Sequence, residues 1–101
     1  MYALIKHPLV DCDVEEAALW YHQHDPAVAL RFVDEVRLAM REAAKQPLRF
    51  PERFIEVRRI RLHRFPYSVF FRIRADTVQV LAVLHGARDV DTLIQGRSQT
   101  G

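Results

Sequence analysis

The spacing of hydrophobic residues changes once along this chain of 101 residues, from a helical period of about 3.6 to a strand period of about 2. Before residue 46, one apolar stripe follows the helical period: Ala29, Phe32, Val33, Val36, Ala39, Met40 and Ala43. After residue 56, apolar and polar residues alternate, which is typical of strands. Such a chain has to pack amphipathic helices on a sheet, and its length allows a single domain, residues 1–101.

The first half predicts two helices joined by a tight turn. Asp11 or Asp13 is expected to cap the first helix, because Asp13 and Glu16 have the spacing of a capping box. Asp25-Pro26 is expected to start the second helix, with aspartate as N-cap and proline at the first helical position. Pro47 ends this second helix. The two elements therefore form a helical hairpin.

Strands are predicted on both sides of this hairpin. Residues 2–6 form a first strand, residues 46–54 a loop, and residues 56–63, 67–74 and 77–85 three further strands. Residues 90–95 form one short helical turn, and the tail from about residue 96 is expected to be disordered. The fold class is therefore α+β, with the order β-αα-βββ and the hairpin packed on one face of a small, mostly antiparallel sheet. The other face is left to solvent.

Composition excludes several classes of protein. Half of the residues are apolar, 28% are charged, and a single cysteine excludes an internal disulfide or a cysteine-rich zinc module. No apolar stretch is long enough for a membrane span and no signal peptide is recognised, so a cytoplasmic protein is expected. His22 and His24 point in different directions on a helix, so no metal site is expected. The sequence has no P-loop and no GxGxxG motif, and no cofactor is expected.

The net charge of +2 hides two unlike halves. Residues 1–48 hold five basic and eight acidic residues, whereas residues 49–101 hold ten arginines and five acidic residues. A basic half suggests an anionic partner. The alternative is an arginine-rich face that is simply solvated, and composition alone favours this alternative.

One strand carries the sharpest polar pattern. Arg59, Arg61 and His63 alternate with apolar residues, so they are expected to project from the sheet face that the helices do not cover. Arg72 and His85 can join them from neighbouring strands. One guanidinium group can donate two parallel hydrogen bonds to a phosphate, so the row suits a phosphate ligand. A solvated outer sheet face would also carry polar residues, without any ligand.

Cleavage of RNA at this row would require proton carriers. Arginine stabilises charge but does not transfer protons in the working range, which leaves His63 and His85 as candidates. Tyr67 lies on the core side of its strand. The sequence holds no recognisable enzyme motif, so whether the protein is an enzyme stays open at this point.

A protein partner is suggested by apolar residues at polar positions. Leu38 lies on the polar side of the second helix, and Leu19 and Trp20 flank the stripe of the first. Phe70 is expected on the outer sheet face. Single exposed apolar residues are ordinary, but several around one hairpin favour a binding surface.

The order of these elements and several strings resemble one family. The strings are DVEEAALWY at residues 13–21, ALRFVDEV at 29–36, QP at 46–47, RRI at 58–60, RFPY at 64–67 and VLHGARD at 83–89. In this order they resemble the RelE/ParE superfamily of type II toxin–antitoxin toxins. The chain is more similar to the ParE-like (plasmid-stabilisation) branch.

The resemblance implies a growth-inhibiting toxin that a cognate antitoxin neutralises by wrapping along the hairpin and the sheet. Leu19, Trp20 and Leu38 then become candidate antitoxin contacts. The ParE-like branch implies DNA gyrase as target, without sequence-specific DNA binding by the toxin alone. Target-binding candidates are Arg59, Arg61, Arg72 and Arg88.

The RelE-like branch implies the alternative of a ribosome-dependent mRNA endonuclease. In that case His63 or His85 would transfer protons, while Arg59, Arg61 and Arg72 would hold the phosphate. The sequence departs from that pattern, because no tyrosine or lysine follows His85 and Arg97 is the only cation after Asp89. A third alternative is a non-toxic module that only binds the antitoxin. Arg88 could either contact a target or pair with a nearby aspartate.

Overall fold

The computed structural model describes residues 1–54 and 56–100 and has an α+β architecture. Its helices are α1 (Val10–His22), α2 (Pro26–Lys45) and α3 (Val90–Thr100). Its strands are β1 (Ala3–Lys6), β2 (Glu52–Phe54), β3 (Val57–Arg61), β4 (Tyr67–Arg74) and β5 (Thr77–His85). The predicted hairpin and the strands that follow it are confirmed. No described helix is long and apolar enough to cross a membrane.

The helix starts were predicted with mixed success. Asp25 caps α2 as expected, since its Oδ1 accepts a hydrogen bond from the N–H of Ala27 at 3.0 Å and Pro26 follows directly. The predicted caps of α1 are wrong. That helix begins at Val10, and the side chain of Leu9 at the N-cap makes no hydrogen bond. Asp13 lies inside the helix and does not cap it. Its carboxylate binds the N–H of Val83 in the sheet and the guanidinium of Arg97.

The five strands form one sheet in the order β1-β5-β4-β3-β2. β1 pairs with β5 in parallel, and the other neighbours are antiparallel. The predicted central strand is confirmed, since every residue from Val78 to Leu84 of β5 is buried. β2 was not predicted, because Pro51 and the loop composition around it obscure a strand of three residues.

Both faces of the sheet are covered, which corrects the prediction of a solvated outer face. α1 and α2 bury one cluster with the inner face, around Phe32, Val69 and Phe71. α3 packs Ile94 and its neighbours on the other face, over Phe70 and Leu81. Phe70 is consequently 2% exposed and is not available to a partner.

Helix α3 also replaces the predicted short turn and disordered tail. Val90, Leu93 and Ile94 have the spacing of one helix face, and this face is what covers the sheet. One turn further on, Arg97 forms an ion pair with Asp13 of α1. The segment is too short and polar to be recognised as a helix in the sequence. A helix of this length is stabilised mainly by tertiary contacts such as these.

Candidate functional site

Three arginines line one pocket of about 290 Å³ on the α3 side of the sheet. Arg53 comes from β2, Arg59 from β3, and Arg88 from the turn after β5. Ser68 of β4 lies between them, and the beginning of α3 forms the opposite wall. We call this the arginine pocket. Arg53 was missed at the sequence level because its strand was assigned to a loop.

The positive charge of the arginine pocket is only partly neutralised. Arg53 lies 3.9 Å from Asp91, a long ion pair. Within residues 1–54 and 56–100, neither Arg59 nor Arg88 has a carboxylate within ion-pair distance. Partial burial lowers the pKa of Arg59, and the neighbouring charges of Arg61 and Arg53 lower it further. The pocket therefore holds cations that repel one another in the unliganded protein.

Arg72 does not belong to this site, which corrects its prediction as a phosphate or target contact. It is 5% exposed, and its Nε donates to Oε1 of Gln79 at 2.8 Å. Its Nη1 donates to the carbonyl of Ser98 in α3 at 2.9 Å. Burial lowers the pKa of this guanidinium, and Arg74 adds to the effect. Arg72 thus ties α3 to the sheet.

The two candidate histidines border different cavities. His63 lies beyond the end of β3, where its backbone N–H donates to Oε1 of Glu35 at 2.6 Å. It borders a groove between α2 and β3, together with Arg61 and Leu38. Although β3 presents Arg59 and Arg61 on the same face, His63 does not extend that row into the arginine pocket.

His85 lines a smaller pocket of about 240 Å³ beside Tyr67, Glu16 and Trp20. Its Nδ1 accepts a hydrogen bond from the N–H of Ala87 at 2.9 Å, and its ring packs edge-on against Tyr67 with centroids 5.1 Å apart. Burial raises the pKa of Tyr67; Arg88 lowers it and Glu16 raises it, both to a lesser degree. We call this the His85 pocket. Arg88 lines it as well as the arginine pocket, so the two cavities adjoin.

An apolar groove of about 690 Å³ runs between the helices of the hairpin. Leu19 of α1 and Leu30 of α2 line it and are 62% and 68% exposed. Glu15 and Glu16 form an acidic rim. We call this the hairpin groove. Leu30 was missed at the sequence level, because its position beside the main stripe of α2 gives only a weak signal.

The three predicted antitoxin contacts line three different cavities. Leu19 lies in the hairpin groove, Trp20 lines the His85 pocket and Leu38 lines the groove between α2 and β3. All three are exposed. Trp20 also packs on His24, with ring centroids 4.5 Å apart. Across the described part of the chain, no group of three histidine, cysteine or carboxylate side chains could hold a metal ion.

Comparison with protein families shows to which family the chain belongs. The family described as "ParE toxin of type II toxin-antitoxin system, parDE" matches residues 4–90. The chain belongs to the ParE toxin family. The match covers the hairpin, the sheet from the second residue of β1 onward and Arg88, and it ends at the first residue of α3.

The fold agrees with this family. The chain superposes on a solved structure described as the chromosomal ParDE TA system from P. aeruginosa, with a TM-score of 0.75. The two sequences are 21% identical, and the match covers 84% of this chain and 96% of the other. No protein with a curated description matches the sequence.

Proposed function

We propose that this ParE-family toxin inhibits DNA gyrase and is neutralised by a cognate antitoxin. The observation that carries the proposal is the family match over residues 4–90. Two surfaces support the proposal. The hairpin groove lies between α1 and α2 on one side of the sheet, and the arginine pocket lies on the α3 side. One surface is apolar with an acidic rim and the other is basic, so each suits a different partner.

The hairpin groove is the proposed antitoxin site. Exposed Leu19 of α1 and Leu30 of α2 offer apolar contacts from both helices of the groove, and Glu15 and Glu16 also line it. An amphipathic helix with leucine-like anchors and flanking lysine or arginine residues would complement both features. Antitoxin contact at Trp20 or Leu38 would require a segment that continues beyond this groove.

The arginine pocket is the proposed target surface. Arg59 and Arg88 have no described carboxylate within ion-pair distance, and Arg61 lies two residues from Arg59 on the same face of β3. Gyrase acts on DNA, so a basic surface on an inhibitor can contact either the enzyme or its substrate. Arg72 is excluded from this surface, because α3 and Gln79 bind its guanidinium.

The arrangement gives less support to the ribonuclease alternative. An mRNA endonuclease needs a proton carrier beside its phosphate-binding cations. His63 borders another groove, and His85 lines the adjoining His85 pocket, where its Nδ1 accepts a hydrogen bond from the N–H of Ala87. Of the predicted set, only Arg59 lines the arginine pocket, and Arg72 is buried beneath α3.

Expression in a permissive host tests the proposal in cells. We expect growth arrest and a shift of a reporter plasmid towards relaxed topoisomers, both reversed when the neighbouring antitoxin gene is co-expressed. Leu30→Asp should leave the toxin active while abolishing its rescue. Leu48→Asp is the matched control, because Leu48 is also 68% exposed and lies outside the groove. Absence of arrest with folded protein would favour the non-toxic binding module.

A further inference from the structure

We infer that the arginine pocket holds a backbone phosphate of a nucleic acid strand. This inference deepens the proposed function and rests on it, since the strand would belong to the DNA on which the target acts. It names a ligand class for the proposed target surface. Three structural observations support it: the row of cations, the commitment of the nearby carboxylates, and an available hydroxyl.

The cations form a row that crosses several strands. Arg53 lies on the edge strand β2, Arg59 on β3, and Arg88 just beyond β5, with β4 between them. Strands are about 4.8 Å apart, so the row spans about 14 Å across the sheet. A single carboxylate would reach one end of such a row, whereas a chain of phosphates can follow it. Arg61, two residues from Arg59, extends the same face.

Neither of the two described carboxylates that line the pocket forms an ion pair with Arg59 or Arg88. Both oxygens of Asp89 bind Thr92 at the start of α3, with the hydroxyl at 2.9 Å and the N–H at 3.4 Å. Asp91 faces Arg53 at 3.9 Å. Arg59 and Arg88 are therefore left for an external anion. With three arginines and two aspartates, the pocket carries one net positive charge, which matches one phosphodiester.

Ser68 supplies a further donor in the lining of the pocket. It is 9% exposed, and no hydrogen bond of its hydroxyl is found within the described residues. A hydroxyl together with guanidinium groups is a common set of donors for phosphate oxygens. The mutual repulsion of Arg53, Arg59 and Arg61 would be relieved when an anion enters.

Titration of the ¹⁵N-labelled full chain with the dinucleotide dTpdT tests this site by NMR. We expect saturable shifts at the amides of Gly86 and Arg88, with binding that weakens as salt is raised. Arg59→Gln should weaken binding by about tenfold or more, because a charge-assisted hydrogen-bond pair is lost. Arg31→Gln, on the exposed face of α2, is the matched control and should change binding by less than about twofold.

Asp91→Asn provides a second variant with the opposite expected sign. Removal of this carboxylate frees Arg53 and should tighten dinucleotide binding by several fold. The inference is overturned if the shifts do not saturate, if Arg59→Gln and Arg31→Gln behave alike, or if Asp91→Asn does not tighten binding. Acetate that competes as well as dTpdT would identify a carboxylate site instead. Gyrase inhibition without dinucleotide binding would overturn this inference alone, and binding without gyrase inhibition would overturn the proposed target alone.

Discussion

Arg97 and Asp13, 84 positions apart, form a two-pronged ion pair at the edge of the sheet where β1 ends. Nη2 of Arg97 donates to Oδ1 of Asp13 at 2.8 Å, and Nη1 donates to the other carboxylate oxygen. The same pair binds the backbone of β5 beyond the point where its pairing with β1 ends. Asp13 accepts from the N–H of Val83 at 3.0 Å, and Arg97 donates to the carbonyl of Leu81 at 3.2 Å. The pair thus continues the β1 edge and joins α1 to α3 around it.

Loss of this ion pair should destabilise the protein and release α3. Arg97→Ala leaves a largely buried carboxylate and an unpaired carbonyl, so the free energy of unfolding should fall by about 3 kcal/mol. Urea unfolding measures this loss, and hydrogen exchange should show faster exchange of the α3 amides than of the β5 amides.

Lys6→Ala is the control for this prediction. Lys6 and Asp11 form an exposed ion pair at 2.8 Å, so its removal should cost less than about 1 kcal/mol. An equal loss of stability in the two variants would contradict the role assigned to Arg97.

His7 should make stability depend on pH. The ring is buried, and its Nδ1 accepts from the N–H of Leu9 at 3.1 Å. Burial, followed by the charge of Arg97, lowers its pKa from the ordinary 6.5, whereas Asp13 raises it and Arg72 lowers it slightly. The unfolded chain therefore binds this proton more readily, and the free energy of unfolding should fall as pH drops below about 6.5.

His7→Asn checks this effect, because an asparagine Oδ1 can accept the same backbone hydrogen bond two residues on. Stability of the two proteins is compared by urea unfolding between about pH 5 and pH 8. The variant should lose part of the slope below about pH 6.5. Identical slopes would show that His7 does not contribute.

Arg72 should affect stability and not toxicity. Arg72→Met keeps much of the side-chain volume but removes the hydrogen bonds that Arg72 donates to Gln79 and to the carbonyl of Ser98, which should cost about 1–3 kcal/mol. Toxicity per folded molecule should stay the same. It is measured as growth arrest at low temperature, divided by the amount of toxin in the soluble fraction. A toxin that loses its activity at unchanged stability would restore Arg72 to the target surface.

Much of this fold could be predicted because its helices and strands carry strong local signals. The stripe of α2 and the Asp25-Pro26 cap are properties of neighbouring residues, so the sequence alone reveals them. Helix α3 has no comparable signal. It is held by Arg97 and by contact with Phe70, and pairings over such distances cannot be derived from local spacing.

The sequence predicted that a basic site lies on the outer sheet face, but it did not predict which arginines form that site. Alternation correctly placed Arg59 on the outer face, and the same alternation misplaced Arg72, because an outward register does not reveal a helix that covers it. Arg53 and Leu30 were missed because no local pattern marks them. Each lies outside a clear periodic pattern, and only the tertiary arrangement brings it to a cavity.

Charge reversal tests whether the basic face of β3 is the target surface. Arg59→Glu combined with Arg61→Glu should abolish toxicity, since two lost cationic contacts weaken target binding by about a hundredfold or more. Arg31→Glu combined with Arg41→Glu reverses the same number of charges on exposed positions of α2 and should leave toxicity unchanged. Circular dichroism verifies that both proteins fold. Retained toxicity in the β3 variant would place the target surface elsewhere.

The most direct test of the proposed target is gyrase supercoiling with the purified toxin. We expect the toxin to inhibit supercoiling of relaxed plasmid in a dose-dependent manner, and an equimolar amount of antitoxin to restore it. A parallel reaction with ribosomes programmed with mRNA should show no cleavage. Supercoiling that is unaffected at excess toxin would contradict the account, as would mRNA cleavage that is lost in His63→Ala or His85→Ala.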